Sequence, residues 1–127
     1  MYSHIMLGAN DVPESQKFYD AILTTLGYRP GVMDEHGRVF WMDKKGVFSI
    51  TKPIDGEPAC HGNGSTFGFA AGNPEQVEAW YAAGIANGGI ACEDPPGVRQ
   101  GATGGLYLAY LRDDPSGNKV CALHRVS

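Results

Sequence analysis

Few side chains in this 127-residue chain can do chemistry, and their surroundings narrow what that chemistry is. His4 opens an apolar run from His4 to Ala9. A neutral imidazole on a strand facing a pocket can ligate Zn, Ni or Fe, or it can serve as a hydrogen-bonding group in a polar pocket. Cys121 lies in the last apolar run, Lys119 to Arg125. It becomes a nucleophile if a neighbour such as His4 lowers its pKa, and otherwise it is a small buried hydrophobe. Cys121 and His124 are three residues apart, so on a strand they leave opposite faces and cannot share an ion. The three cysteines, Cys60, Cys92 and Cys121, form neither a CxxC pair nor an even framework. Free thiols in a reducing, cytoplasmic compartment are therefore expected. Arg99 sits in a long glycine-rich stretch, Asp94 to Gly105, that reads as a loop able to close over a cleft and hold a carboxylate or another anion. No GK[ST] follows these glycines and the next element reads as a strand, so they are not a phosphate loop.

The elements that must position these groups repeat. Asp11 can cap a helix that Glu14 completes as a capping box, and Phe18, Tyr19, Ile22, Leu23 and Leu26 recur at helical spacing until Gly27. Extended pieces follow at Tyr28 to Met33, Val39 to Asp43 and Val47 to Thr51, separated by turn residues. After a connector at 53–64, rich in proline and glycine, the order begins again with an apolar strand, Ser65 to Ala71. A helix capped by Asn73 runs from Pro74 to Gly88 and matches Pro13 to Gly27 in length; Ile90 to Glu93, Leu106 to Arg112 and Lys119 to Arg125 complete the second unit. The expectation is an α+β domain over 1–127, made of two tandem βαβββ units at 1–52 and 65–127. Phe48, Trp41 and Tyr107 lie on strands and could line an aromatic cavity or pack the core.

Composition closes other routes. Hydrophobic residues are 43% and charged residues 19%, and the net charge of −4 comes with no run of Lys or Arg, which argues against nucleic acid as a partner. No apolar stretch reaches the ~20 residues of a bilayer crossing, and the N-terminus lacks the pattern of a secretory signal.

The repeat, together with His4-Ile5-Met6-Leu7, Phe18-Tyr19 ahead of Leu26-Gly27-Tyr28, and Asp114-Pro115-Ser116-Gly117-Asn118-Lys119-Val120, resembles the vicinal oxygen chelate superfamily. That group includes glyoxalases, bleomycin-resistance proteins and extradiol dioxygenases. Asn63-Gly64, Gly88-Gly89 and Pro96-Gly97-Val98-Arg99 make the chain most similar to small glyoxalase-like members. The resemblance implies a cupped sheet with helices outside it, a homodimer in which copies complete each other's clefts, and a divalent metal held from the first, fourth, fifth and eighth strands.

Carried over residue by residue, that ligand set is short. His4 matches the first-strand ligand. Thr66 stands at the fifth-strand position, and a threonine hydroxyl is a poor transition-metal ligand. Counting four from the turn glycines gives Cys121 on the eighth strand and Ile50 on the fourth, with Ser49 and Thr51 beside it. His61, in the connector, is the one candidate to repair the set. Two donors fall short of the three that catalytic zinc sites keep. No cofactor is therefore expected; a bound Zn, Ni, Fe or Mn would rest on His4 and Cys121. The expected function is small-molecule binding or metal-free chemistry in a cleft lined by His4, Met6, Phe48, Ile50, Thr66, Tyr107 and Cys121, with Arg99 from the loop. A metal-dependent lyase or isomerase like lactoylglutathione lyase and a drug-sequestering resistance protein are the alternatives.

Overall fold

The computed structural model describes residues 1–126. Both helices form where the sequence supplies a cap, an early proline and a stop. Helix α1 (Val12–Thr24) is capped by Asp11, whose carboxylate accepts from the Glu14 N–H at 3.1 Å; α2 (Pro74–Ala86) is capped by Asn73, which accepts from Gln76 at 2.8 Å. Proline sits in the first turn of each, where its missing N–H has no helical partner to lose. Both end in the same left-handed stop. Gly27 and Gly88 have φ near +94°, and the N–H after each reaches back to Leu23 or Gly84 at 3.1 and 2.8 Å, five residues earlier.

The first sheet contains β1 (His4–Gly8), β2 (Val32–Met33), β3 (Val39–Asp43) and β4 (Gly46–Thr51) in the order β1-β4-β3-β2. The second contains β5 (Phe67–Ala70), β6 (Ile90–Ala91), β7 (Gly97–Gly101), β8 (Gly104–Arg112) and β9 (Lys119–Arg125), in the order β5-β9-β8-β6, with β7 also on β8. In each sheet the opening strand runs parallel to the last one and the other pairs are antiparallel. Two mixed sheets and two helices make an α+β fold with the expected repeat.

Two elements differ from the sequence reading. Residues 28–33 yield a strand of only two residues, because Pro30 has no N–H to pair and Gly31 turns inward, donating to Asp20 at 2.7 Å and packing under Trp41. The glycine-rich stretch after Asp94 is not a loop throughout: Gly97 to Gly101 pairs with Gly104 to Leu108 as a tight hairpin. β6 and β7 thus occupy one edge of β8 in succession.

Each sheet turns one face to a shared core. Trp41, Phe48 and Ile50 enter it from the first sheet, and Phe69, Leu111 and Val120 from the second. Tyr19, Trp41, Phe48, Phe67 and Phe69 form a continuous run of ring contacts with centroids 4.9–5.8 Å apart. Helix α1 packs directly on α2, and Gly84 lets them close: a Cβ there would lie 2.2 Å from Leu111 and 3.1 Å from Ile22.

A polar lock joins the units at the turn between β8 and β9. Asp113, 1% exposed, accepts from the Tyr19 hydroxyl at 2.6 Å, the Asn118 amide N–H at 2.8 Å and the Asn118 side chain at 3.0 Å. The Asn118 side chain also donates to Gly8 at 2.9 Å, while Ser116 accepts from the Asn10 N–H at 2.9 Å. The motif before the last strand is therefore structural, fastening the second unit to β1 and α1 of the first.

Two substitutions test this packing by denaturant unfolding. Gly84→Ala is expected to destabilise by ~1–3 kcal/mol through overpacking, although alanine is the better helix former. Tyr19→Phe is expected to cost ~1–3 kcal/mol, since it removes a donor from a buried carboxylate. Wild-type midpoints in both variants would overturn the assignments.

Candidate functional site

Strand register decides which side chains leave the core, because directly paired residues share a face and successive ones alternate. In the first sheet, Ile5 pairs with Phe48 and Leu7 with Ile50 on the inner face; His4 pairs with Val47 and Met6 with Ser49 on the outer one. His4 and Met6 are exposed there as expected of cleft residues. Phe48 and Ile50, expected beside them, are instead in the core, 7% and 0% exposed. The outer-face residue of β4 next to Met6 is Ser49, whose hydroxyl donates to the Ile5 carbonyl at 3.0 Å. The His4 ring shares a hydrogen bond with the Ser3 hydroxyl at 2.7 Å.

The outer face of the second sheet carries a denser group. Cys121 lies opposite Tyr110 on β8 and Gly68 on β5, and Lys119 lies opposite Arg112. Gly68 leaves room for the thiol, since a Cβ there would come 3.1 Å from Sγ. The Lys119 ammonium sits 4.9 Å above the Tyr110 ring and pairs with the Glu93 carboxylate; the Arg99 guanidinium lies 5.9 Å from the same ring. Glu93 has φ +59°, a left-handed conformation that is uncommon outside glycine. These groups form a cup walled by cations and floored by Tyr110 and Cys121.

Three other expected residues lie elsewhere. Tyr107 is on the inner side of β8, where its hydroxyl donates to Glu78 of α2, because a one-residue step along a strand reverses the face. Thr66 is exposed just before β5. Arg99 does face the cup, but it is not free to clamp an anion: its guanidinium donates to the carbonyls of Asp94, Pro95, Gly97 and Leu108 at 2.7–3.2 Å. It pins the turn between β6 and β7, and its expected service on a mobile lid gives way to that role. Glu93, Tyr110 and Lys119 were missed by sequence reasoning. Pairing Leu106–Arg112 with Lys119–Arg125 across the turn would have put Tyr110 opposite Cys121, but nothing in the sequence shows that Glu93 reaches Lys119.

Burial pushes the Cys121 thiol up to about 11, with the negative charge of Glu93 acting in the same direction and Lys119 against it. Cys121 is thus a protonated thiol at neutral pH, and His4 is not among the groups that act on it. His61 lies against Gly117 of the turn before β9. His124 faces away from Cys121 and shares a hydrogen bond with the Ala71 carbonyl at 3.1 Å. Among the described residues, no three His, Cys, Asp or Glu side chains converge as a metal-holding group.

No family model and no curated protein matches the chain. Among solved structures, it superposes on a glyoxalase/bleomycin resistance protein from Albidiferax ferrireducens with a TM-score of 0.94 and 63% identity, over 98% of this chain and 99% of that one. A lactoylglutathione lyase from Agrobacterium tumefaciens superposes with a TM-score of 0.66 at 21% identity, over 97% of this chain and 92% of that one. The second likeness is one of fold alone.

The raised Cys121 pKa has a direct readout. Since the fold favours the neutral thiol, alkylation of Cys121 by iodoacetamide at about pH 8 is expected to lag far behind that of the exposed Cys60, then to rise roughly tenfold per pH unit toward pH 11. Peptide mass spectrometry reads both sites, and equal rates at about pH 8 would remove the thiol assignment.

Proposed function

The chain belongs to the glyoxalase/bleomycin resistance family, and on that premise we propose that it binds a small molecule in the cup on its second sheet without the help of a metal. The observation that carries this reading is the backbone of Glu93. A glutamate costs about 1 kcal/mol or more to hold at positive φ, and such strain is retained where the surroundings use it. Here it places a carboxylate on Lys119, above the one aromatic ring that Arg99 also covers. Tyr110 offers a π-face for an apolar body, Lys119 and Arg112 offer charge to a polar end, and the neutral Cys121 thiol and Leu108 supply an apolar floor.

The donor set argues against the divalent metal that the family's fold implies. His4 is an exposed imidazole on one sheet, and Cys121 is a buried thiol on the other that must lose a proton against its surroundings before it can ligate. Ser49 and Gly68 occupy the matching outer positions on β4 and β5, and neither supplies the third ligand that catalytic zinc keeps. No step of the proposed function therefore passes through an ion.

Homodimerisation also fits. The first sheet leaves Met6, Met42 and Val32 exposed at 39%, 64% and 64%, an apolar strip suited to cover a second copy's cup. The unpaired thiols support a reducing compartment such as the cytoplasm, and among the described residues no helix is long and apolar enough to cross a membrane.

A thermal-shift screen of small molecules tests the binding, with mass spectrometry of the recovered ligand to separate binding from turnover. Hits are expected to lose roughly tenfold or more in affinity in Tyr110→Ala and to be unaffected by Zn, Ni, Fe or Mn. One tightly held metal equivalent, removed by His4→Ala along with the ligand response, would replace this reading by the metal-dependent one. Light scattering is expected to give a dimer that Met42→Asp weakens; a wild-type monomer at micromolar concentration would end the pairing.

A further inference from the structure

A second site lies away from the cup, where the first sheet's β3–β4 turn approaches β5. A cavity of about 330 Å³ opens there, and the rings of Tyr28, Trp41, Phe48, Phe67 and Phe69 form much of its wall. This is within the size range of small-molecule pockets and far more aromatic than a cavity needs to be. The rings engage one another edge-on or tilted, Phe67 with Phe69 at 4.9 Å and Trp41 with Phe48 at 5.5 Å; Trp41, Phe48 and Phe69 are buried by these contacts, and Tyr28 and Phe67 are the half-buried rings that a planar body at the mouth would meet.

A second cavity, of about 580 Å³, adjoins the first and shares Tyr28, Asp43, Lys45 and Ala70 with it. Its lining is mixed, with Leu26, Met42 and Ala70 beside charged side chains. Arg29 and Lys45 line it, and neither forms an ion pair with a described residue. The acid nearby is Asp43, whose Oδ1 accepts from the N–H groups of Lys45 and Gly46 at 2.8 and 3.1 Å. Two cations without a close ion pair thus stand beside an aromatic chamber, Lys45 also acting on the Asp43 charge, in a chain whose net charge is −4.

We infer that this crevice binds an aromatic carboxylate, with the planar body at its mouth against the half-buried Tyr28 and Phe67 and the carboxylate turned to Lys45 and Arg29. The site differs from the cup in its walls: they come from β5, the first sheet and the β3–β4 turn, and Gly68 also borders Cys121, whereas the cup stands on the outer face of β8 and β9.

Trp41 is a built-in reporter, because it lines the cavity and the other tryptophan, Trp80, lies on α2 and does not. Titration with 2-naphthoate is expected to quench tryptophan emission saturably, and Trp41→Phe to abolish the quench while calorimetry still detects binding. Lys45→Ala and Arg29→Ala are each expected to weaken naphthoate by roughly fivefold to tenfold at low salt, with less effect at high salt, and to leave the neutral 2-naphthamide unchanged. Both residues are exposed, so these variants are expected to fold. The inference fails if no saturable quench appears by about 5 mM, or if the charge variants leave naphthoate affinity unchanged. It also fails if Lys119→Ala removes binding while Lys45→Ala does not, since the ligand would then occupy the cup.

Discussion

The buried carboxylate of Asp113 is the constraint on which the arrangement of the two halves rests. A carboxyl group withdrawn from water is expensive unless its oxygens are fully engaged, and here three donors from both units engage them. Tyr19 comes from the middle of α1, and Asn118 from the turn that launches β9 and also holds the end of β1 through Gly8. A shift of either unit would leave polar oxygens unpartnered in the core. The face that β9 shows to solvent, and with it the position of Cys121, follows from that anchorage.

Duplication has given the halves the same inner architecture and different outer surfaces. Inward, both contribute aromatic and branched apolar side chains to one core, and both close their helices with the same glycine stop. Outward, the first sheet shows methionine, valine and a histidine, while the second shows lysine, arginine, glutamate and tyrosine around a thiol. Chemistry is concentrated where the copies have diverged.

Helices, caps and the order of strands were legible because they depend on local chemistry: an Asx cap, a proline in the first turn, a glycine beyond the last. Strand faces were legible only where a turn fixed the count. Counting from Gly117 reached the outer face at Cys121, yet the same count from Gly46 reached the core at Ile50. With Asp11 and Asn73 as matching caps, His4 corresponds to Thr66 and its partner Val47 to Lys119, so the equivalent of Gly117 is Lys45 and that of Cys121 is Ser49. One residue of offset reverses every side chain. Arg99 was misread for another reason. Glycines at 97, 101, 104 and 105 suggested a mobile segment, but a hairpin with a pinned guanidinium needs small residues as much as a loop does. The Glu93–Lys119 contact joins distant segments, and no local pattern announces it.

The shared edge of β8 has a consequence for how this molecule behaves in a crowded solution. Long, flat, unpaired strand edges invite other chains to add on as further strands, the route to fibrils and amorphous aggregates. Here the rim is split between β6 and β7, with Pro95 and Pro96 interrupting it and Glu93 bending the backbone out of line. One rim of the first sheet is a strand of two residues, and the remaining rims of the two sheets are β1 and β5, of five and four residues. The interrupted β6–β7 rim and the two-residue β2 give a stranger few consecutive N–H and C=O groups to build on, so the places where another strand could add are the short β1 and β5 rims.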